Sequence, residues 1–411
     1  MTVAPIRRWG PGVAASLAPA VCVVAALAVC WLLLSAATFT LAASAAFCGL
    51  SFTYAFRFRD AHPVVWRMVS TIALVQLAVV ITYHLSFVTN NSLAGGAAIS
   101  IVILGLSFLT GVSGQISLGN GAFMGAGAFV VAIWANHHSS TPLVVSLLLA
   151  ALTGALLGVV LGLPATRLRG PYLAGMTLAF AFAFSPDLLL DFSSWTGGDG
   201  GLQIPTPATA PQWLDNLFSA PGTLGPNAMW FADIAIVVAG VAFFFMANLL
   251  SSRTGRRMRL VRDNEVAAEL VGIGLPRARI TAFVVSAAYA GLGGGVLAIT
   301  SYSVSPTNFT LAVSITLLSL MVIGGIGTLS GAIIGGFIYA FSQSWITWLI
   351  NQTGLNPLGN LATNLNNIIF GSLLILAMLF APLGIAGTVK YVAARRAATR
   401  RARPVTESQQ E

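Results

Sequence analysis

Residues 111–121 read Gly111-Val-Ser-Gly114-Gln-Ile-Ser117-Leu-Gly119-Asn-Gly121, and they lie between two apolar runs near 96–112 and 117–136. Each run approaches the roughly 20 apolar residues that a helix needs to cross a bilayer. The residues joining them are glycines and the polar Ser113, Gln115, Ser117 and Asn120. A single glycine in such a place reads as small-residue helix packing. A cluster is different, because it lets the helix break. A break at membrane depth frees backbone groups that cost several kcal/mol each if they face hydrocarbon. The segment therefore lines a cavity or a protein interface, and Gln115, Ser117 and Asn120 are expected to line a translocation path.

A second cluster, Gly324-Gly-Ile-Gly327-Thr-Leu-Ser330-Gly331, repeats the spacing of Gly111, Gly114 and Ser117 and again joins two apolar runs. Interrupted helices in corresponding positions of two related halves are a transporter trait. On that ground Gly324 and Gly327 join the expected path.

Working outward, the whole chain has this character. Of 411 residues, 57% are hydrophobic and 8% charged, with a mean hydropathy of +0.87. An ordinary soluble chain carries about 25% charged residues. Apolar surface on this scale cannot be hidden in one core, so the expected fold is an all-α polytopic membrane protein surrounded by lipid bilayer. About ten to twelve spanning helices with Gly-rich breaks are expected. The spans fall near 13–36, 39–56, 66–88, 96–112, 117–136, 143–163, 172–190, 229–250, 280–301, 309–325, 331–350 and 367–389. Arg7 and Arg8 precede the first run like the start of a signal peptide, but the run is long and no soluble domain follows it, so a retained anchor is expected.

Orientation follows from charge, because cytoplasmic loops collect Lys and Arg. Every basic residue lies in one of five groups: Arg7 and Arg8, 57–67, 167–169, 253–279 and 390–403. All five fall on one side of the expected topology. The opposite loops, 89–95, 137–142, 191–228, 302–308 and 351–366, hold no Lys or Arg but do hold Asp191, Asp199 and Asp215. Both termini are therefore expected in the cytoplasm, and the net charge of +9 is a topological signal that gives no reason to expect nucleic acid.

Two segments between spans are long enough to have their own task. The external loop, 191–228, is rich in Gly, Pro, Ser and Thr, and its residues 211–218 can form a short amphipathic turn facing an extracytoplasmic partner. In the internal loop, 251–279, Asp263 or Asn264 can cap a short helix running through Glu265, Ala267, Ala268, Glu269 and Leu270 to a stop at Gly272, with Pro276 beyond. It reads as a compact helix lying on the membrane surface.

Other chemistry is excluded. Lys390 is the sole lysine, and the residues around it do not follow the G-x-x-x-x-G-K-[ST] order of a phosphate-cradling loop, so the chain is not its own ATPase. Cys22, Cys30 and Cys48 sit inside apolar runs without metal spacing. The four histidines lie at span edges, so no metal site is expected, and no Ser/His/Asp or paired-carboxylate pattern points to an enzyme. Asp187 and Asp233 near the outer ends of spans are expected in interfacial water.

Six blocks now add a family resemblance: Gly-Gln-Ile-Ser-Leu-Gly-Asn-Gly-Ala-Phe at 114–123, Leu-Arg-Gly-Pro-Tyr-Leu-Ala at 168–174, Thr-Leu-Ala-Phe at 177–180, Thr-Gly-Gly-Asp-Gly-Gly-Leu at 196–202, Arg-Asp-Asn-Glu-Val-Ala-Ala-Glu at 262–269 and Gly-Gly-Ile-Gly-Thr-Leu-Ser-Gly at 324–331. As an ordered set they resemble the LivM-type permease subunits of branched-chain amino acid ABC importers, over roughly residues 90 to 385. The resemblance implies a type II ABC importer-like permease fold. It divides the chain into weakly matching N-terminal helices at 1–90, a permease core at 91–389 and a basic cytoplasmic tail at 390–411. It also implies a second, related permease subunit, two cytoplasmic ATP-binding subunits that hydrolyse ATP, and an extracytoplasmic solute-binding protein, with no cofactor on this chain. Residues 263–272 then correspond to the ATPase-coupling segment.

The chain departs from the pattern in places. In the importers' E-A-A-x-x-x-G motif, Ala267, Ala268 and Gly272 fit while Val266 takes the Glu position, flanked by Glu265 and Glu269. Many relatives have His at the position of Asn120 and an acidic residue near Phe182. Both changes remove ionisable character, so leucine, isoleucine and valine are the default cargo by resemblance, with urea, short amides or another small solute as alternatives. More distant rivals are a gradient-driven secondary transporter, which needs an ionisable cluster at mid-membrane, and a channel, which needs no ATPase. A cysteine introduced beside Asn264 should resist impermeant reagents on intact cells and react after permeabilisation. Labelling of intact cells would invert this topology.

Overall fold

In a computed structural model the chain is described over residues 63–82, 87–138, 142–168, 170–184, 196–204 and 226–353, with residue 191 and a few positions between 372 and 388. The expected spans 13–36 and 39–56, nearly all of 367–389, the turn at 211–218, Asp187 and the tail 390–411 lie outside the described residues. The chain forms two units, one of residues 1–84 with 211–226, the other of 85–210 with 227–411. In the first, the described part is helix α1 (Pro63–Thr82), whose Ser70 and Thr71 hydroxyls donate back to the Arg67 carbonyl, so they can sit in an apolar helix without free donors.

The second unit holds α2 (Phe87–Ser107), α3 (Asn120–His137), α4 (Leu143–Ala165), α5 (Pro171–Ala183), α6 (Pro226–Ser251), α7 (Arg253–Asp263), α8 (Glu265–Leu270), α9 (Leu275–Ser301), α10 (Leu311–Gly324) and α11 (Leu329–Thr353). Among the described residues, five helical stretches are long and apolar enough to cross a membrane: Thr89–Val112, Leu143–Ala165, Trp230–Ser251, Leu275–Ser301 and Pro306–Gly324. The chain is thus an all-α polytopic membrane protein. Its one departure among the described residues is a two-residue antiparallel pair, β1 (Leu202–Gln203) with β2 (Ser303–Val304), in the register Leu202 to Val304.

Most of α2 and α9 is buried inside the protein, whereas α4 and α6 turn most of their surface outward. The sequence explains the difference. Along α4, Val144, Leu148, Leu152, Leu156 and Val160 recur every fourth residue and are exposed, a stripe fit for lipid. The opposite face carries Gly154, Gly158 and Gly162, which meet Ala287, Val284 and Ile280 of α9. Small residues at this spacing bring two backbones together where no hydrophobic effect drives helices to associate. On its other side α9 meets α3 the same way: a Cβ on Gly127 would overlap the Gly291 carbonyl, and one on Gly294 the Met124 carbonyl. Tyr289 of α9 donates its hydroxyl to the Ala242 carbonyl of α6 at 2.9 Å.

Three features differ from the sequence reading. Residues 89–95, expected as an outer loop, are helical, because α2 begins at Phe87. Their Asn and Gly residues lower the hydropathy, yet Asn90 is buried and Gly96 seats α2 against Gly336 and Ala340 of α11. Helix α9 starts at Leu275, five residues before the expected span, with Pro276 in the first turn, where its missing N–H costs nothing. Asp233 is buried and not in interfacial water.

Replacing Gly294 with Val should cost about 1–3 kcal/mol by overpacking, read as a lower melting temperature in detergent. Gly95→Ala has open space around its Cβ and should leave the melting temperature unchanged or slightly raised.

Candidate functional site

The first break begins where α2 ends. The turn that continues it, Phe108–Val112, is a π-turn, with the Ser113 amide bonded to the Phe108 carbonyl at 3.2 Å and the Gln115 amide to the Leu109 carbonyl at 3.1 Å. Gly114 follows at φ +77°, a left-handed conformation that glycine adopts without strain. Residues 114–119 are then non-helical until Asn120 opens α3. The amides released here are met by side chains: Leu118 N–H donates to Thr177 Oγ1 of α5 at 3.0 Å, Gly121 N–H to Ser314 Oγ of α10 at 3.0 Å, and Gly119 N–H to Ser117 Oγ at 3.3 Å. Broken backbone inside a membrane protein requires such partners.

The three expected path residues lie together in this break, all buried. Gln115 Nε2 donates to Ser113 Oγ at 2.5 Å, and Ser117 Oγ donates to Asn120 Oδ1 at 3.3 Å. Their other ends, Gln115 Oε1 and Asn120 Nδ2, have no hydrogen-bond partner, and neither do Thr110 Oγ1 and Ser286 Oγ. Each unpaired buried group costs about 1–3 kcal/mol. One spare acceptor and one spare donor in the same uncharged segment are therefore available to water or to a polar solute.

The second break brings Gly327 to the first and leaves Gly324 apart. Gly327, at φ +73°, packs on Gly111 so closely that a Cβ on Gly111 would overlap it, and its amide donates to Ser107 Oγ of α2 at 2.9 Å. Gly324 instead faces Gly331 within its own turn.

The internal loop folds into two helices. Ser252 caps α7 by accepting from Gly255 N–H at 3.3 Å. Met258 and Val261 are buried, and Arg256 and Arg259 donate to the Ser251 and Leu250 carbonyls at the end of α6. Asn264 caps α8 by accepting from Ala267 N–H at 3.0 Å. Gly272, at φ +81°, ends it: Ile273 N–H bonds to the Ala268 carbonyl at 3.0 Å and Gly272 N–H to the Glu269 carbonyl at 2.9 Å, a Schellman closure. Ala268 is fully buried against a small cluster with Val261 and Leu275, while Ala267 is half-buried and Asp263 and Glu269 are exposed. Val266, Leu270 and Val271 stand 67%, 84% and 74% exposed, an apolar patch on a rigidly capped helix.

Two arginines tie this loop to the spanning helices. Buried Arg279 forms an ion pair with Glu265 at 2.5 Å and donates to the Thr166 carbonyl beyond α4 at 2.9 Å. Arg262 Nη1 donates to the Gly111 carbonyl, and its aliphatic stem lies over Gly114. The sequence reading used both only as topological charges and did not single out Ser107, Thr177 or Ser314. The single signal near Arg262 was its place at the head of the block 262–269. Among the described residues no group of three or more His, Cys, Asp or Glu is placed to hold a metal ion.

The family described as "Branched-chain amino acid transport system / permease component" matches residues 88–378, most of the chain, both breaks and the internal loop included. The chain belongs to this family. It is 30% identical over 327 residues to the high-affinity branched-chain amino acid transport system permease protein LivM of Escherichia coli K12, covering 76% of this chain and 73% of that protein. The LivM protein of Salmonella typhimurium is 30% identical over 298 residues, covering 69% and 67%. The high-affinity branched-chain amino acid permease protein LivH of Escherichia coli K12 is 27% identical over 202 residues, covering 48% and 60%. No solved structure matches significantly. As a member of this family the chain is a multi-pass membrane transport permease and not an enzyme.

Arg279→Ala removes the ion pair that holds α8 to α9 and should lower local stability by about 1.5 kcal/mol. Amide exchange over 265–270 should then accelerate roughly tenfold. Glu265→Gln keeps an acceptor for Arg279 and should show a smaller increase.

Proposed function

We propose that this chain is the LivM-type permease subunit of an ABC importer that carries branched-chain amino acids across the cytoplasmic membrane. A second, LivH-like permease completes the pathway, two cytoplasmic subunits hydrolyse ATP, and an extracytoplasmic binding protein delivers the solute. This chain itself binds no cofactor. Both termini, with the basic tail 390–411, lie in the cytoplasm by the distribution of Lys and Arg.

The observation that carries the reading is α8. A six-residue helix closed at both ends, seated by buried Ala268 and exposing Val266, Leu270 and Val271, is a knob for a groove on another protein. The segment 263–272 is thus the ATPase-coupling element, and its six-residue helix moves as one body when nucleotide closes the ATPase pair. The break at Gln115, Ser117 and Asn120, with Gly327 against it and Gly324 in the adjoining turn, forms part of the path and opens toward one side at a time.

The neutral lining of the break favours one alternative cargo class, a small uncharged solute such as urea or a short amide. Competition of leucine uptake by urea and acetamide separates the two.

Leu270→Asp places a charge on the exposed knob without touching the core. It should abolish copurification of the ATPases and cut leucine uptake about tenfold, whereas undiminished uptake would overturn the docking role. Ala268→Pro should break α8 at about 3 kcal/mol and uncouple ATP hydrolysis from uptake.

A further inference from the structure

In a regular α-helix the Gln115 amide would bond to the carbonyl four residues back, which is that of Gly111. Here it reaches past it to Leu109, and the Gly111 carbonyl receives the Arg262 guanidinium instead. A carbonyl can accept two such bonds, but here the Gly111 oxygen takes the guanidinium and not the helix's own amide. We propose that Arg262 is a positioning residue that links the coupling helix to the first break, holding the end of α2 in its π-turn by occupying the Gly111 carbonyl.

Three observations support the link. Val261, one residue before Arg262, packs with Ala268 and Leu275, so a push on α8 is delivered to the base of Arg262. The stem of Arg262 lies over Gly114, where an added Cβ would stand 3.0 Å from Arg262 Cγ, so the guanidinium reaches its target because residue 114 has no side chain. Gly114 itself sits at φ +77° and, being glycine, can also enter the right-handed helical region. When the guanidinium withdraws, the Gly111 carbonyl takes back the Gln115 amide, α2 gains a regular turn, and the Gln115 side chain rotates away from its bond to Ser113. Single π-turns associated with α-helices are frequent at functional sites. The element is bistable, and the internal loop biases it.

This inference rests on α8 being the ATPase-docking helix, so the test reads docking and transmission separately. Ile116, half exposed in the break, is replaced by Cys in a chain lacking its three native cysteines, and the full importer is reconstituted in proteoliposomes. The rate of maleimide labelling is measured with and without a non-hydrolysable ATP analogue. With Arg262 intact the rate should change about fivefold or more, the low end of ordinary coupling between sites. Arg262→Ala should still copurify with the ATPases yet lose this response, and Arg262→Lys should restore part of it. Gly114→Ala, which keeps Arg262 but obstructs its stem, should blunt the response as well. An unchanged response in Arg262→Ala, in a complex where Leu270→Asp does abolish copurification, overturns the link while leaving the docking role intact. Loss of copurification in both Arg262→Ala and Arg262→Lys also overturns it, since Arg262 would then belong to the dock.

Discussion

Hydrocarbon supplies no hydrogen-bond partner, and this one constraint organises the permease core. Helices meet it within themselves, so α4 and α6 can turn leucine, valine and phenylalanine outward at no polar cost. The segment 113–119 cannot meet it alone. The amides of Leu118, Gly119 and, just beyond, Gly121 are met by the hydroxyls of Thr177 of α5, Ser117 of the break itself and Ser314 of α10. The break is therefore held by two outside helices, α5 and α10, which bring hydroxyls to it.

The same constraint gives the arginines of the internal loop their structural work. The ends of α2, α4 and α6 each leave carbonyls without a following turn, and Arg262, Arg279 and Arg259 donate to carbonyls there. A cationic donor at a helix C-terminus also opposes the helix dipole favourably. The arginines that carry the charge pattern along the sequence thus also cap these helix ends.

Hydropathy and composition were enough to read the all-α membrane architecture, because a span announces itself over some 20 residues. The caps of α8 were equally legible, since Asn264 and Gly272 act through their own neighbours. The start of α2 was not: Asn90 looks like a loop residue, yet the fold buries it in the first turn of α2. The partners of the break were hidden for a related reason, as the bond from Gly121 to Ser314 joins positions 193 apart in the chain. The spacing shared by the two glycine clusters could not say which glycine meets the first break: Gly327 packs on Gly111, while Gly324 turns toward Gly331. Local chemistry can be read from one segment; chemistry shared between distant segments needs the fold.

The contact of α3 with α9 has a mechanical corollary. At Gly127, Gly291 and Gly294 it is made backbone to backbone, with the Val131 side chain reaching Gly295 beside it. Contact this close leaves no slack, so a strain applied to one of these helices is passed on to the other.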